Sequence, residues 1–230
     1  MSTPTFMKIG TLGKRTWRPL VFFVVFLMAL WVTHTLALQR FVSAYDRYQE
    51  KAKIQEDAAY LPGTTGNPLR QQLNQTLSEV LTKETSTERR LFLAHQGLST
   101  IDQANREVDI IGTTGTDVSD TVAMMTAAAN SVGNLYGRGT MVELIALAKE
   151  QMDIIENIRG LSYRANFETA EIFKRIIVDH GTLTAGYTTE LNNQIPKVEE
   201  QFNSRENYYV ALESNVNRME QKMALMKGPS

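Results

Sequence analysis

Residues 20–38 read LVFFVVFLMALWVTHTLAL, nineteen positions without a single Asp, Glu, Lys or Arg. A helix rises about 1.5 Å per residue, so this segment is about 28 Å long as a helix and matches the hydrocarbon core of a bilayer. No other apolar run in the sequence is as long. The segment therefore predicts one transmembrane helix near the amino end, and the lipid bilayer as the first partner of the chain.

Charges on the two sides of this segment bear on its orientation. Four basic residues precede it without any acidic residue, and four more follow it among acidic ones. The count alone is a tie, but Lys14, Arg15 and Arg18 crowd against the segment, which favours a cytoplasmic amino terminus. Trp17 and Arg40 complete the predicted membrane flanks. We expect the bulk of the chain outside the cytoplasm, with a bacterial inner membrane and periplasm as the default setting.

A cleaved signal peptide is the competing interpretation of the same segment. Its apolar region is usually about 7–15 residues long and ends in small residues at the cleavage site. The apolar segment here is longer, and Thr35, Leu36 and Ala37 match such a site poorly. The length favours an uncleaved anchor.

The rest of the sequence predicts an all-α protein, with the single transmembrane helix followed by an elongated helical bundle or coiled-coil extramembrane domain. The tract 69–195 has no proline and is rich in Leu, Ala, Glu, Gln and Met, which favours long helices. No stretch shows the sustained alternation of a strand. The predicted divisions are a basic cytoplasmic tail 1–18, the anchor 19–39, a juxtamembrane helix 40–61, a bundle domain 69–194 and a C-terminal heptad helix 195–227.

Glycines and caps predict the helix boundaries within the bundle domain. We expect helices over 69–111, 118–133 and 141–181, with the GTTGT segment 112–116 ending the first of them. Thr140, with Glu143 three residues later, is typical of a capping box that opens the third. In the juxtamembrane helix the spacing places four residues on one face: Phe41, Tyr45, Tyr48 and Ala52.

The last predicted helix carries a regular heptad pattern, and its apolar members form the candidate helix-association seam. The seam consists of Ile195, Val198, Phe202, Tyr209, Leu212, Val216, Met219, Met223 and Met226. Arg205 is the one charged residue that falls in the same row. Such a row packs either against the other helices of the same chain or against a partner, and both interpretations fit the pattern.

The sequence predicts no catalytic residue, no metal ligand and no cofactor-binding residue. It has three histidines and no cysteine, so thiolate sites and disulfides are excluded. Phe92 and Ile177 stand three residues before His95 and His180, where a helical di-iron site needs Glu. Residues 39–230 carry a net charge of −5 and show no basic stripe for nucleic acid. We expect a protein without enzymatic activity.

Three classes of function remain. The first is a structural or interaction subunit of a membrane-envelope complex, whose partners are other subunits or further copies of this chain. The second is an extracytoplasmic sensor or ligand-binding module, in which Glu84, Thr87 and Asn105 interrupt the apolar pattern and are candidates to line a site. Chemoreceptor-type sensors share an anchor and a helical bundle, but the sequence has no second span and no signalling module. The third is a processed, secreted helical component of the pilus type.

Overall fold

The chain folds into helices alone over the residues that the structure, a computed structural model, describes, which are 13–60, 68–82, 84–132 and 137–227. The five helices are α1 (Gly13–Tyr60), α2 (Pro68–Leu81), α3 (Thr87–Ser131), α4 (Arg138–Val178) and α5 (Ala185–Lys227). The all-α prediction is confirmed. Outside the described residues lie 1–12, 61–67, 83, 133–136 and 228–230, and nothing is described of the side chains of Lys14, Arg15 and Phe202.

The helices form a bundle in which α3 runs antiparallel to both α1 and α2, α4 to α3, and α5 to α4. The first column of the bundle consists of α1 followed by α2, because both pack along α3: Gln55 of α1 donates to the Ile111 carbonyl at 3.0 Å and Arg90 of α3 donates to the Val80 carbonyl at 3.1 Å. Further bonds join α3 to α4 and α4 to α5. The carboxyl end of α5 therefore returns to the end of the bundle where α1 enters.

The buried apolar side chains form three main clusters along the bundle. The cluster nearest the apolar segment combines Phe41 and Tyr45 of α1 with Met125 of α3, Leu144 of α4 and Met223 of α5. The middle cluster surrounds Ile158 and Leu212, and the distal cluster surrounds Phe173. All four helical columns thus contribute to the core.

A single helix carries both the apolar segment and the first column of the core. Within the described residues, the helical stretch Trp17–Ala59 is the one that is long and apolar enough to cross a membrane, by length and composition. Its first part is exposed: Phe22 is 75% and Trp31 is 70% accessible, whereas Phe41 is fully buried. No helix break separates the two parts.

The predicted helix over 69–111 is wrong, because the chain breaks after Leu81. Ser86 caps α3 by accepting a hydrogen bond from the Arg89 amide at 3.2 Å. Arg90, which is buried, donates to the carbonyls of Val80 and Thr82. It thereby provides hydrogen-bond partners for carbonyls at the carboxyl end of α2. The Ser and Thr residues at 85–87 compete with the helix for backbone hydrogen bonds, and here that competition decides the boundary.

The predicted break at 112–116 is also wrong, because α3 runs through it. Thr113 and Thr114 turn their hydroxyls back to the Ile110 carbonyl, at 3.0 and 2.8 Å. A Cβ at Gly112 would lie 3.2 Å from the Arg159 guanidinium, so this glycine leaves room for the Arg159 side chain of α4 against α3. Packing on both sides therefore overrides the weak helix propensity of the segment.

The boundaries of the last two helices also differ from the prediction. Gly137, in the left-handed region at φ 89°, caps α4, so Thr140 lies inside the first turn and does not cap it. The helix ends at Val178, and Gly181, with φ 75°, follows in the turn. The final helix begins at Ala185 and continues through Pro196. The carbonyl that loses its partner to this proline belongs to Asn192, which is exposed to water.

Candidate functional site

A groove that combines buried aromatic and polar side chains lies between α1 and α5. The backbones of α1 and α3, α3 and α4, and α4 and α5 pack closely along their lengths, whereas those of α1 and α5 make few close contacts over the described residues. The resulting cavity has a volume of about 360 Å³. Its lining combines Tyr45, Tyr48 and Glu56 of α1 with Gln151 of α4 and Glu220 of α5.

A chain of hydrogen bonds crosses the floor of this α1–α5 groove. The Tyr48 hydroxyl donates to Oε1 of Gln151, and Nε2 of Gln151 donates to Oε1 of Glu56. Gln151 is only 2% exposed, and Tyr48 only 1%. At the rim, Nε2 of Gln49 donates to the Tyr45 hydroxyl at 3.2 Å. The bonds on the floor hold α1 to α4 and fix the position of the Glu56 carboxyl.

Burial changes the acidity of the groups in the groove. Burial, with the charges of Glu220, Asp46 and Glu56, raises the pKa of Tyr45 to about 12. Burial and the Glu56 charge also raise the pKa of Tyr48. Both phenols therefore keep their protons at neutral pH and act as hydrogen-bond donors.

The Glu56 carboxyl experiences opposing effects. Burial raises its pKa, the hydrogen bond from Gln151 and the Lys53 ammonium lower it, and the charges of Asp57 and Glu220 raise it further. The net pKa lies above the ordinary value. The folded chain therefore holds the proton of Glu56 more tightly than the unfolded chain does.

Carboxylates outnumber cations around the groove. Glu50, Glu56 and Glu220 line it together with one cation, Lys53, whose ammonium lies 2.8 Å from the Asp57 carboxylate. Two tyrosine rings complete the wall. Negative charge beside aromatic rings is the environment that proteins use to bind organic cations.

The predicted seam of α5 faces the interior of the bundle. Val198, Tyr209, Leu212, Met219 and Met223 are buried. Ile195, Val216 and Met226 are half-buried, and the side chain of Phe202 is not described. The row packs against the other helices of the same chain, and its methionines join the cluster that holds Phe41.

Arg205 lies inside the bundle with the seam. It is 1% exposed, its Nη1 donates to the Ser162 hydroxyl at 2.8 Å, and its guanidinium lies 5.9 Å from the Tyr209 ring centroid. The charge in the heptad row is therefore part of a buried polar contact between α4 and α5.

The polar residues considered for a ligand site are not brought together. Glu84 and Thr87 are exposed at the junction of α2 and α3. Asn105 accepts a hydrogen bond from Asn166 of α4 at 2.8 Å, in the middle of the bundle. None of the three lines the α1–α5 groove. Among the described residues, no three His, Asp or Glu side chains lie close enough together to hold a metal ion.

The predicted membrane flanks lie at the two ends of the exposed apolar part of α1. Trp17 and Arg18 are exposed at its start and Arg40 is exposed just after it. Lys14 and Arg15 belong to the first turns of the helix, without described side chains.

Sequence reasoning missed Gln151 and Glu56 as members of a site. Gln151 looks like an ordinary polar residue of a long helix, and no local motif connects it to a glutamate about a hundred residues away. Tyr45 and Tyr48 were predicted to share a face, and that shared face is the signal from which the groove could have been found.

The comparisons with known proteins add no functional assignment to this geometry. No protein-family model, no curated protein and no solved structure matches the chain.

Proposed function

We propose that the chain is a single-pass membrane protein whose helical bundle, held outside the cytoplasm, acts as a non-enzymatic structural or interaction subunit of a membrane-envelope complex. The observation that carries this proposal is the continuity of α1. The same helix presents exposed apolar side chains over residues 20–32 and then enters the core at Ala37 and Phe41. An exposed apolar surface of this size is stable in lipid and unfavourable in water.

A continuous helix also gives the bundle a fixed relation to the bilayer. A helix without a break transmits a displacement along its length, and Tyr48 and Tyr45 lock α1 into the bundle. A partner that binds the bundle therefore acts directly on the anchor. This coupling suits a subunit that braces or positions an assembly.

Labelling with cysteine tests the topology, because the chain has no cysteine of its own. We expect Ser214→Cys, on the exposed surface of α5, to react with an impermeant maleimide in intact cells. Ser2→Cys should react only after lysis, and it serves as the matched control. Labelling of Ser2→Cys alone in intact cells, or release of the chain from membranes by alkaline carbonate, would overturn the proposal.

Cross-linking in native membranes tests the interaction role. Single cysteines at Ser99, Ser119 and Ser214 sample exposed positions on two helices. We expect at least one of them to give a discrete adduct with a neighbouring subunit or a second copy. A chain that stays monomeric with every probe, in membranes where it is inserted, would contradict an assembly role.

A ligand-binding module is the second candidate, and the α1–α5 groove favours it. Two tyrosine rings, three carboxylates and a cavity of about 360 Å³ suit a small organic cation. Such a ligand would bridge the anchor helix and α5, two columns with few close backbone contacts between them.

A comparison of choline with its neutral isostere 3,3-dimethylbutan-1-ol tests this candidate. A ligand that binds only the folded chain raises its melting temperature. We expect choline to do so, the neutral isostere not to, and Glu56→Gln to abolish the shift. Glu213→Gln, an exposed glutamate of α5 outside the groove, is the control. Equal shifts with both compounds, or none with either, would exclude the groove as a cation site.

A further inference from the structure

A second cleft opens between α1 and α3 at the point where the apolar segment ends. It has a volume of about 570 Å³, and the buried small residues Ala44 and Ala128 form its floor. Leu36 lies at one end and Arg47 at the other. The small side chains leave room between two helices that otherwise pack closely.

The position of this α1–α3 cleft relative to the apolar segment determines which layer of the bilayer lies beside it. Arg40 follows Leu38, the last residue of the segment, by two positions, which is about 3 Å along a helix. The headgroup layer of each leaflet adds about 5–7 Å to the hydrocarbon core. If the apolar segment spans the bilayer, Arg40 lies in the headgroup layer and Leu36 lies beside the acyl chains.

The lining of the cleft carries positive charge only. Arg40 and Arg47 are both exposed and stand seven residues apart, which places them on one face of α1 at a separation of about two turns. No Asp or Glu belongs to the lining. Of the nearby acidic groups on α3, Asp117 lies 3.6 Å from the Lys51 ammonium, toward the far end of the bundle.

Exposed apolar surface accompanies these charges. Leu36 is 48% and Met124 is 45% accessible, and both line the cleft. A ligand with an anionic head and an apolar tail would meet a matching surface along its whole length. An arginine binds a phosphate through charge-assisted hydrogen bonds, which are the strong ones.

We propose that the α1–α3 cleft binds one anionic phospholipid, with its phosphate at Arg40 and Arg47 and an acyl chain against Leu36 and Met124. A zwitterionic lipid fits less well, because its ammonium group would find no carboxylate in the lining. This inference rests on the proposed membrane anchoring of α1. It adds a specific lipid to the partners of the chain.

Lipid retention by the full chain tests the inference. The protein is reconstituted into nanodiscs of phosphatidylcholine mixed with phosphatidylglycerol. Native mass spectrometry then measures which lipids stay bound to the protein after it is released from the nanodisc. We expect wild type to retain phosphatidylglycerol in preference to phosphatidylcholine. The double variant Arg40→Gln/Arg47→Gln should bind it about tenfold more weakly, the equivalent of one charge-assisted hydrogen bond.

A matched variant controls for total charge. Arg106→Gln/Arg164→Gln removes the same charge from exposed positions in the middle of the bundle, and it should retain the lipid as wild type does. Unchanged helicity by circular dichroism verifies that each variant is folded. Glycerol 3-phosphate, which has the phosphate without the acyl chains, should not displace the lipid.

The outcomes separate this inference from the anchoring on which it rests. A chain that does not insert into nanodiscs contradicts the anchoring itself. A chain that inserts but retains both lipids equally, or whose cleft variant retains phosphatidylglycerol like the control, overturns the lipid site. Displacement by glycerol 3-phosphate would reveal a soluble phosphate ligand instead. If the cleft variant keeps its lipid but loses a cross-linked neighbour, the cleft docks an acidic protein segment, and the inference is wrong.

Discussion

The ring of Phe173 on α4 fills the space beside the backbone of Gly97 on α3: a Cβ at residue 97 would lie 2.3 Å from Cε2 of that ring. Phe173 is fully buried in the distal cluster, together with Leu93 and Ile101. The ring therefore has little room to move. We expect Gly97→Ala to lower the free energy of unfolding by about 1–2 kcal/mol, because overpacking outweighs the gain in helix propensity.

Gly160 provides the control for that substitution. It also lies inside a long helix, but a Cβ there would meet no atom within 4 Å. Gly160→Ala should raise the free energy of unfolding by about 0.5–1 kcal/mol through helix propensity alone. Denaturant unfolding in detergent micelles measures the free energy of unfolding of both variants. If the two substitutions change stability in the same direction, Phe173 does not confine residue 97.

His180 ends α4 in a strained conformation. Its φ is 50°, its amide donates to the Ile177 carbonyl at 3.1 Å, and the next amide, of Gly181, donates to the Ile176 carbonyl at 2.8 Å. This pair of bonds is the Schellman motif, in which the left-handed position favours glycine.

His180→Gly should therefore stabilise the protein by about 0.5–1 kcal/mol, since the relief of strain exceeds the entropy that glycine adds to the unfolded chain. His180→Ala retains the Cβ and should give no such gain. The measurement is the denaturation midpoint of both variants. Equal stabilisation by Gly and Ala would mean that removal of the imidazole, not of the strain, is responsible.

The Glu56 carboxyl gives the stability a pH dependence. Its pKa is raised above the ordinary value, chiefly by burial, so the folded chain binds its proton more tightly than the unfolded chain does. The free energy of unfolding therefore falls as the pH rises from the ordinary pKa of glutamate through the raised one. Glu56→Gln preserves an acceptor for Gln151 and should remove this part of the slope, leaving the protein more stable at neutral pH.

Urea unfolding at several pH values from about 4 to 7, which brackets the ordinary pKa of glutamate, measures the effect. Glu213→Gln, at an exposed position on α5, should leave the slope unchanged. A wild-type slope in Glu56→Gln would show that another group titrates in this range.

The sequence predicts some features of this fold well, because they depend on local periodicity. The spacing of Phe41, Tyr45 and Tyr48 placed them on one face of α1, and all three are buried. The apolar row of α5 likewise follows from its heptads. The heptad period does not say which surface covers the apolar row of α5. Whether the row packs against a partner or against the same chain became clear only from the packing of the other helices.

The helix breaks and the groove depend on interactions that the local sequence does not contain. Residues 112–116 look like a helix end but are held helical by α1 and α4. The break at 82–86 is stabilised by Arg90, which reaches back to α2. The groove combines Glu56, Gln151 and Glu220 from three helices, and their proximity exists only after the bundle forms.

Tyr209 of α5 closes the end of α1. Its hydroxyl donates to the Ala59 carbonyl at 2.9 Å, and Tyr209 is 6% exposed. Ala59 is the second-last residue of α1, and the last carbonyls of a helix have no partner within it. Tyr209→Phe leaves that buried carbonyl without this donor and should cost about 1–2 kcal/mol. Tyr208→Phe, at the adjacent half-buried position, should change stability by less than about 0.5 kcal/mol.

Hydrogen exchange distinguishes two roles of Tyr209: capping of the end of α1 and general packing of the bundle. If the Tyr209 bond secures the end of α1, its loss should speed exchange of the last-turn amides of α1 more than of amides in α4. Tyr208→Phe should leave both rates unchanged. A uniform acceleration across the bundle would mean that Tyr209 contributes only to global stability. Faster exchange confined to α1 would instead identify this hydroxyl as the contact through which α5 controls the end of the anchor helix.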